Sequence, residues 1–329
     1  MKKALVLLLT LALLLVSLAS CAKNNAANGT TGAETDDATV RVGYLSGSTG
    51  LGLSKMIADN KENERLTFTK YNSPVEIMAA YANGDIDLAA LPTNAFPNYA
   101  KNLTGSRELS MLAVNTLGVL YLLSDDEAII PASDLSSLSG KTIYVPEQAP
   151  KLILQHVLKE NGLENSVTLD MQYDLETLPG AAQTDPDVHY ILFPEPKVTV
   201  LLMQAGTKTY SIALDLTEAW NEVGNDPLVQ GCMVVSKDFA ARHADLIASF
   251  LSGYEASINW MKDPANLDAA AQYAVDAGIF PKLPVAKQAI PRCNLAFMTG
   301  GEMATTVNAF LTALGIAEQP LSSFYGITD

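Results

Sequence analysis

The chain has 329 residues, a formal net charge of −15 at pH 7 and three cysteines. Such an excess of acidic side chains repels a phosphate backbone, so no nucleic-acid partner is predicted. The acidity favours solubility and says little about a small ligand. The length is enough for two domains of ordinary size behind a short leader.

The first twenty residues have the pattern of a signal peptide. Lys2 and Lys3 precede an apolar run, residues 4–16, which is shorter than the roughly 20 residues of a membrane-spanning helix. The next residues, Leu-Ala-Ser-Cys at 18–21, resemble the bacterial lipobox, in which cleavage leaves an acylated cysteine as the new N-terminus. We therefore expect export, a lipid on Cys21 and an anchor on the outer face of the cell membrane. The alternative is a cysteine without lipid.

Residues 21–38 are predicted to form a tether. They are rich in Asn, Ala, Gly and Thr and have no apolar period, which is typical of a flexible linker. A segment of this length has an r.m.s. reach of roughly 20–25 Å, so the folded part of the chain could lie near a membrane without contacting it.

From Thr39 onward, short β-branched runs alternate with helical periods. Ser73 and Glu76 form a capping box around Pro74 at the first helical position, and the helix that they begin ends at Gly84. This alternation is typical of an α/β fold with mostly parallel, doubly wound sheets. The predicted strands are residues 40–45, 66–68, 86–91, 109–115, 118–124, 140–145, 167–171, 189–193, 210–214 and 232–235.

The C-terminal part of the chain is predicted to be mainly helical. An apolar stripe at 3.6-residue spacing predicts one long helix from Phe239 to Met261. Two more helices are expected near residues 267–277 and 302–314, with little strand signal between them, so this tail should pack against the first lobe. The predicted lobes are residues 39–123 with 232–329 for lobe 1, and residues 124–231 for lobe 2.

Three glycines in the loop after the first strand, Gly47, Gly50 and Gly52, raise the question of a phosphate site. Their order is the reverse of a dinucleotide fingerprint, and Lys55 lies at the wrong distance for a P-loop. The three histidines are far apart and lack the spacing of a metal site. No metal, cofactor or catalytic residue is therefore predicted.

Cys232 and Cys293 are the cysteines that remain once Cys21 is assigned to a lipid. An exported location permits a disulfide between them, but the sequence does not show whether their Cα atoms come within bridging distance. Two buried free thiols are the alternative.

Three motifs stand beside the lipobox: Val-Gly-Tyr-Leu-Ser-Gly-Ser-Thr-Gly at 42–50, Gly-Asp-Ile-Asp-Leu-Ala at 84–89 and Leu-Ser-Gly-Lys-Thr-Ile at 138–143. Together they resemble solute-binding lipoproteins of ABC importers, in the branch associated with nitrate, sulfonates, taurine and thiamine-precursor pyrimidines. The resemblance implies a type II periplasmic-binding-protein fold, in which two α/β lobes joined by a two-strand hinge close on a ligand. It also implies an ABC permease as partner, a monomer and no enzymatic activity.

Ligands of open α/β sheets bind beyond the carboxyl ends of the strands, so the loops that follow the predicted strands supply the candidate binding residues. Hydroxyl and amide groups in these loops suit hydrogen bonds to a small ligand, and glycine lets the backbone approach it closely. A cap or a turn is the alternative role for each. The candidates are Ser48, Thr49, Gly50, Thr93, Asn94, Asn115, Thr116, Gln148 and Glu195.

The charge of the ligand depends on two carboxylates. Glu195 stands between Pro194 and Pro196 after a predicted strand, and Glu147 precedes a predicted helix. If either faces the cleft, nitrate or a sulfonate is repelled and an amine or aminopyrimidine is favoured; a solvated acid at a helix start is the alternative. None of the five arginines lies in a predicted ligand loop, which favours a neutral or cationic ligand. A sulfonate-like ligand held by helix N-termini alone is the other reading.

The leading interpretation is a receptor that binds a small molecule outside the membrane and delivers it to an ABC permease. Closure on the ligand would be a population shift and needs no covalent chemistry. A sensor on the same scaffold, without transport, would show the same sequence pattern. A pyrimidine-synthesis enzyme of this superfamily is disfavoured, because the cysteine-rich run of those enzymes is missing and an export signal would place the enzyme in the wrong compartment.

Overall fold

The computed structural model describes residues 38–126, 129–224 and 226–327. The predicted signal peptide, the lipid site at Cys21 and nearly all of the tether lie outside these residues. Residues 37–329 form one compact unit. Within the described ranges, no helix is both long and apolar enough to cross a membrane.

Eleven strands in the described residues form two sheets. In chain order they are β1 (Val40–Leu45), β2 (Leu66–Tyr71), β3 (Leu88–Pro92), β4 (Leu109–Thr116), β5 (Leu120–Ser124), β6 (Thr142–Tyr144), β7 (Thr168–Asp170), β8 (Tyr190–Pro194), β9 (Ser211–Asp215), β10 (Gly231–Ser236) and β11 (Leu295–Met298). The first sheet has the order β11-β4-β10-β3-β1-β2 and the second has the order β7-β6-β8-β5-β9. In each sheet a parallel part, around β1 and β6, continues into antiparallel strands. The predicted α/β fold with two lobes is confirmed.

The same described ranges contain thirteen α-helices, of which the last follows the final strand and the others lie between strands. They are α1 (Ser48–Leu51), α2 (Ser54–Asp59), α3 (Pro74–Asn83), α4 (Phe96–Asn102), α5 (Gln148–Glu160), α6 (Leu178–Thr184), α7 (Lys197–Leu202), α8 (Leu216–Val223), α9 (Lys237–Arg242), α10 (Ala244–Met261), α11 (Leu267–Asp276), α12 (Leu283–Ala289) and α13 (Gly300–Ala313). Short 3-10 helices at Thr93–Ala95 and Ile290–Arg292 contribute to the site described below.

The start and end of α3 follow from the local sequence. Ser73 Oγ accepts a hydrogen bond from Glu76 N at 3.2 Å, and Glu76 Oε2 accepts one from Asn72 N at 3.0 Å. Pro74 begins the helix, and Gly84 ends it with a φ of 84°, a left-handed conformation that glycine adopts without strain. The predicted cap, start and end of this helix are confirmed.

The two sheets are connected by two chain crossings. The sequence pattern suggested that β5 belongs to lobe 1, but β5 lies in the second sheet, where Leu120 pairs with Pro194. The first crossing is therefore the segment 117–119. The two strands that pair with β5, which are β8 and β9, lie far downstream, so the local pattern could not show this boundary. The second crossing lies near Gln230. We define the first lobe as residues 38–117 and 230–327, and the second lobe as residues 118–229.

The C-terminal tail joins the first lobe, but two of its details differ from the sequence prediction. The helix predicted from Phe239 to Met261 is two helices, α9 and α10, separated at His243, whose φ is −128°. Between α11 and α13 the chain forms α12 and β11, and β11 pairs antiparallel with β4. A strand of four residues at a sheet edge is too short to show a clear hydrophobic period, so the sequence pattern missed it.

Cys232 and Cys293 are buried free thiols and do not form a disulfide. Burial raises the pKa of both thiols to about 12, so the reactive thiolate is scarce at neutral pH. The chain from residue 22 onward has only these two cysteines. We expect a thiol reagent such as DTNB to label neither of them in the native state and both of them in denaturant. Labelling of either thiol before unfolding would contradict their burial.

Candidate functional site

A cavity of about 820 Å³ lies between the two lobes, at the carboxyl ends of the parallel strands. This volume is within the range of sites that bind small organic molecules. The cavity wall comes from both lobes and is mainly apolar. From the first lobe it includes residues 45–49, Lys70, Asn72, Pro74, Pro92, Asn94, Thr116, Gln230, Gly278, Ile279, Pro281 and Phe310. From the second lobe it includes Val119, Leu120, Glu147, Ala149, Pro150, Ile153, Leu175, Glu176, residues 194–197 and Val200.

The structure places the predicted binding residues in two groups. Ser48, Thr49, Asn94, Thr116 and Glu195 contribute to the cavity wall. Three of the other candidates are not part of it: Thr93 and Asn115 are fully buried, and Gly50 is also buried. Gln148 is the first residue of α5. Ligand contact by any of these residues stays a prediction.

The glycines of the loop after β1 are needed for its backbone path. Gly47 has φ 90° and ψ −167°, a conformation that is essentially restricted to glycine, and its N–H donates to Ile279 O at 3.1 Å. A Cβ atom at Gly50 would lie only 2.2 Å from Leu45 O. These two residues therefore turn the chain sharply and bring Ser48 and Thr49 to the wall.

Asn115 and Thr116 support this loop from the carboxyl end of β4. Asn115 Nδ2 donates to Thr49 O at 3.3 Å. The hydroxyl of Thr116 lies 3.3 Å from Ser48 O and 2.8 Å from Asn115 Oδ1, and it can donate to either. The amide of Asn115, which the sequence suggested as a ligand contact, is thus used to hold the loop. It acts on the site through Ser48 and Thr49.

Glu195 is the buried charge of the site, and its carboxylate is already paired. Oε1 accepts from Arg292 Nε at 2.5 Å and from Thr199 Oγ1 at 3.1 Å, and Oε2 accepts from Thr199 N at 3.2 Å. The side chain of Glu195 has no exposed surface. Burial raises its pKa, and the nearby guanidinium opposes that effect only in part. Glu195 is therefore not a solvated acid, and its carboxylate is paired within the protein.

The pair of Glu195 with Arg292 joins the two lobes. Arg292 lies in the first lobe, in the 3-10 helix before Cys293, while Glu195 follows β8 in the second lobe. Tyr121 OH of β5 donates to Arg292 O at 3.1 Å, and Ser48 Oγ donates to Glu195 O at 3.1 Å. The segment that carries Arg292 is thus hydrogen-bonded to the second lobe close to the first crossing. Polar contacts therefore link the two lobes at this point.

Arg292 was missed in the sequence because no local signal marks it. It lies in a tail that the pattern described as helical, 97 positions from Glu195. Arg292 lies outside the predicted ligand loops, as expected, but it reaches the site from another part of the chain and neutralises the buried carboxylate of Glu195. The only sequence-based indication that Arg292 could come near the site was the expectation that this tail packs against the first lobe.

Four further charged side chains stand on the wall. Lys197 and Glu176 pair with each other at 2.9 Å in the second lobe. Glu147, beside them, has a pKa that is raised by desolvation and lowered in part by Lys197. Lys70, at the end of β2 in the first lobe, donates to Gly278 O at 3.4 Å. The lysines show that cationic groups reach the cleft, which the sequence pattern did not indicate. In the part of the chain that is described, no cluster of three or more His, Cys, Asp or Glu side chains could hold a metal ion.

The fold is similar to solved structures of ABC-importer proteins. An ABC transporter protein from Parabacteroides distasonis has a TM-score of 0.65 at 17% identity, over 89% of this chain and 97% of that one. The periplasmic aliphatic sulphonate binding protein SsuA from Escherichia coli has a TM-score of 0.66 at 14% identity, over 88% and 93%. The ligand-binding component of an ABC-type import system from Staphylococcus aureus has a TM-score of 0.66 at 12% identity, over 87% and 96%. The predicted resemblance is confirmed at the level of the fold.

Sequence comparison identifies the family more directly. No curated protein matches the chain significantly. The profile of the family described as menaquinone biosynthesis matches residues 51–283, which is more than half of the chain and includes parts of both lobes. The chain therefore belongs to the menaquinone biosynthesis family.

Proposed function

We propose that this protein is a solute-binding component of an ABC importer, which captures a small organic molecule between its lobes and presents it to a permease. The observation that carries the proposal is the cavity of about 820 Å³, whose wall is built from the strand ends of both lobes around two chain crossings. A ligand that contacts both lobes stabilises their closed arrangement, and a permease can distinguish this closed, ligand-bound form from the open one. No covalent step is needed.

The leader and the structural relatives support the same role. The lipobox at 18–21 would place the protein on the outer face of the membrane, tethered through Cys21 beside a permease. Two of the similar structures are described as a sulphonate-binding protein and as a ligand-binding component of an import system. A nitrate ion is far smaller than the cavity, so an organic solute suits it better. A membrane sensor that uses the same cleft without transport is the variant of this proposal.

The family match favours a second candidate, an enzyme that acts on an intermediate of menaquinone biosynthesis in the same cleft. This candidate uses the same cavity and needs a chemical change of the bound molecule. An exported location would separate such an enzyme from reactions inside the cell, so we rank it below the binding protein.

A thermal-shift panel on residues 22–329 tests both candidates. Aminopyrimidines, amines, sulfonates and nitrate would be screened, together with an organic extract of the growth medium. A ligand at a hundred times its dissociation constant should stabilise the protein by about 2.7 kcal/mol and raise Tm measurably. Mass spectrometry of the recovered ligand then distinguishes the candidates, because a binding protein returns it unchanged and an enzyme returns a product. The absence of a shift with every compound and extract would contradict both.

A further inference from the structure

The charges on the cleft wall cancel in pairs, except for two. Glu195 is neutralised by Arg292, and Lys197 by Glu176, at 2.5 and 2.9 Å. The two remaining charged side chains are Lys70 in the first lobe and Glu147 in the second lobe. The wall therefore presents one uncompensated cation and one uncompensated anion, on opposite lobes.

Lys70 has no carboxylate partner within the described part of the chain. Its ammonium group contacts only a carbonyl, Gly278 O at 3.4 Å, so two of its three protons remain available to a ligand. The residue stands at the carboxyl end of β2, where the wall also contains Asn72. An anionic group of a ligand would find its counter-charge here.

Glu147 stands at the start of α5 on the opposite side of the cleft. Its side chain makes no capping bond to the helix, and Lys197, whose charge lowers its pKa in part, is already paired with Glu176. The carboxyl is exposed to solvent in the cleft, and partial desolvation by the cleft wall still raises its pKa. A cationic group of a ligand would supply the counter-charge that this carboxylate lacks.

Much of the rest of the wall is apolar. Pro74, Ile279 and Phe310 belong to the first lobe, and Pro150, Ile153 and Leu175 to the second. No charged side chain other than those already paired enters this part of the wall within the described ranges. The body of the ligand should therefore be apolar.

We propose that the cleft selects a zwitterion with an apolar body, whose anionic group binds Lys70 and whose cationic group binds Glu147. This inference rests on the proposed solute-binding function and names its ligand class. A molecule with both charges engages both lobes and so stabilises the closed form, whereas a singly charged analogue leaves one wall charge without a counter-charge. Apolar amino acids, with adjacent or separated charges, are the simplest members of the class.

Isothermal titration calorimetry on residues 22–329 tests this inference. The zwitterionic probes are L-phenylalanine and 4-(aminomethyl)benzoate, which differ in the spacing of their charges. The matched analogues are phenethylamine, which lacks the anion, and 3-phenylpropanoate, which lacks the cation. We expect at least one zwitterion to bind at least tenfold more tightly than either analogue.

Two substitutions identify the side chain that recognises each charge. Lys70→Gln should weaken the zwitterion tenfold or more and leave phenethylamine unchanged. Glu147→Gln should weaken the zwitterion similarly and leave 3-phenylpropanoate unchanged. The controls Lys61→Gln and Glu302→Gln remove exposed charges of the same types outside the cleft wall and should have no effect.

Two results would overturn the inference. Equal affinity of a singly charged analogue and the zwitterions would show that one wall charge is not used. An equal effect of Lys70→Gln and Glu147→Gln on every probe would show that these residues attract each other across the cleft instead of binding a ligand. If no probe binds while the thermal-shift panel finds another ligand, the zwitterion class is wrong and the solute-binding function stands. If neither experiment finds a ligand, both the zwitterion class and the solute-binding function are wrong.

Discussion

Replacement of Glu195 by alanine should lower the free energy of unfolding by about 2–4 kcal/mol. The carboxylate has no exposed surface, and both of its oxygens accept hydrogen bonds, from Arg292 and Thr199. Its removal leaves the guanidinium of Arg292 without a counter-charge, in a side chain that is only 28% exposed. Breaking a fully buried ion pair costs roughly 3–5 kcal/mol, and the partial exposure of Arg292 reduces that cost.

Urea unfolding of residues 22–329, followed by tryptophan fluorescence, measures this effect. Glu176→Ala is the matched control, because it removes a carboxylate from a second ion pair of the same cleft, 2.9 Å from Lys197. Glu176 is 80% exposed, so its removal should cost no more than about 1 kcal/mol. Equal losses for the two substitutions would mean that the pair of Glu195 with Arg292 is solvated.

A double-mutant cycle separates the ion pair from the simple loss of packing. Arg292→Ala alone should also destabilise the protein, because it leaves the buried Glu195 carboxylate without its cation. The double substitution should cost less than the sum of the two single ones, since neither charge is then left alone. Additive losses would show that the two side chains do not interact. Because this pair joins the lobes, its removal should lower the population of the closed form. The double variant should therefore also bind the ligand more weakly.

The elements of this fold that depend on neighbours in sequence could be predicted. The capping residues Ser73 and Glu76 and the terminal Gly84 satisfy backbone groups within one or two turns, so their signal is local. Most strands were likewise visible as short β-branched runs. The carboxyl-end rule led to Ser48, Thr49, Asn94 and other residues of the wall, because parallel strand ends meet at one edge regardless of the details of packing.

The features that depend on distant partners could not be predicted. The assignment of β5 to the second sheet rests on its pairing with β8 and β9, which no property of residues 118–124 reveals. The partner of Glu195 could not be predicted for the same reason. A glutamate between two prolines has the same local sequence whether its carboxylate contacts water, a ligand or Arg292. Asn115, a predicted ligand contact, is buried and holds the backbone of Thr49, a structural role that the sequence did not indicate. In each case the deciding contact joins segments that are far apart in the sequence.

Replacement of Gly50 by alanine should lower the free energy of unfolding by about 1–3 kcal/mol and weaken ligand binding tenfold or more. A Cβ atom at this position would lie 2.2 Å from Leu45 O, a backbone atom of the preceding strand that cannot rotate away. Relief of the clash requires the loop to move away from β1. The loop carries Ser48 and Thr49, so their positions on the wall would move with it.

Gly180→Ala is the matched control for this substitution. Gly180 lies in helix α6 and a Cβ atom there would meet no atom within 4 Å, so alanine should stabilise the protein by roughly 0.5–1 kcal/mol through its better helix propensity. Urea unfolding and calorimetry with the ligand from the thermal-shift panel would be measured on both variants. If Gly50→Ala were as stable as the parent protein and bound equally well, the close approach of the loop to β1 would not limit the site. If Gly50→Ala binds the ligand more weakly under conditions where it is fully folded, lower stability does not account for the loss of affinity. That result would show that the backbone path between Gly47 and Gly50 itself shapes the binding surface.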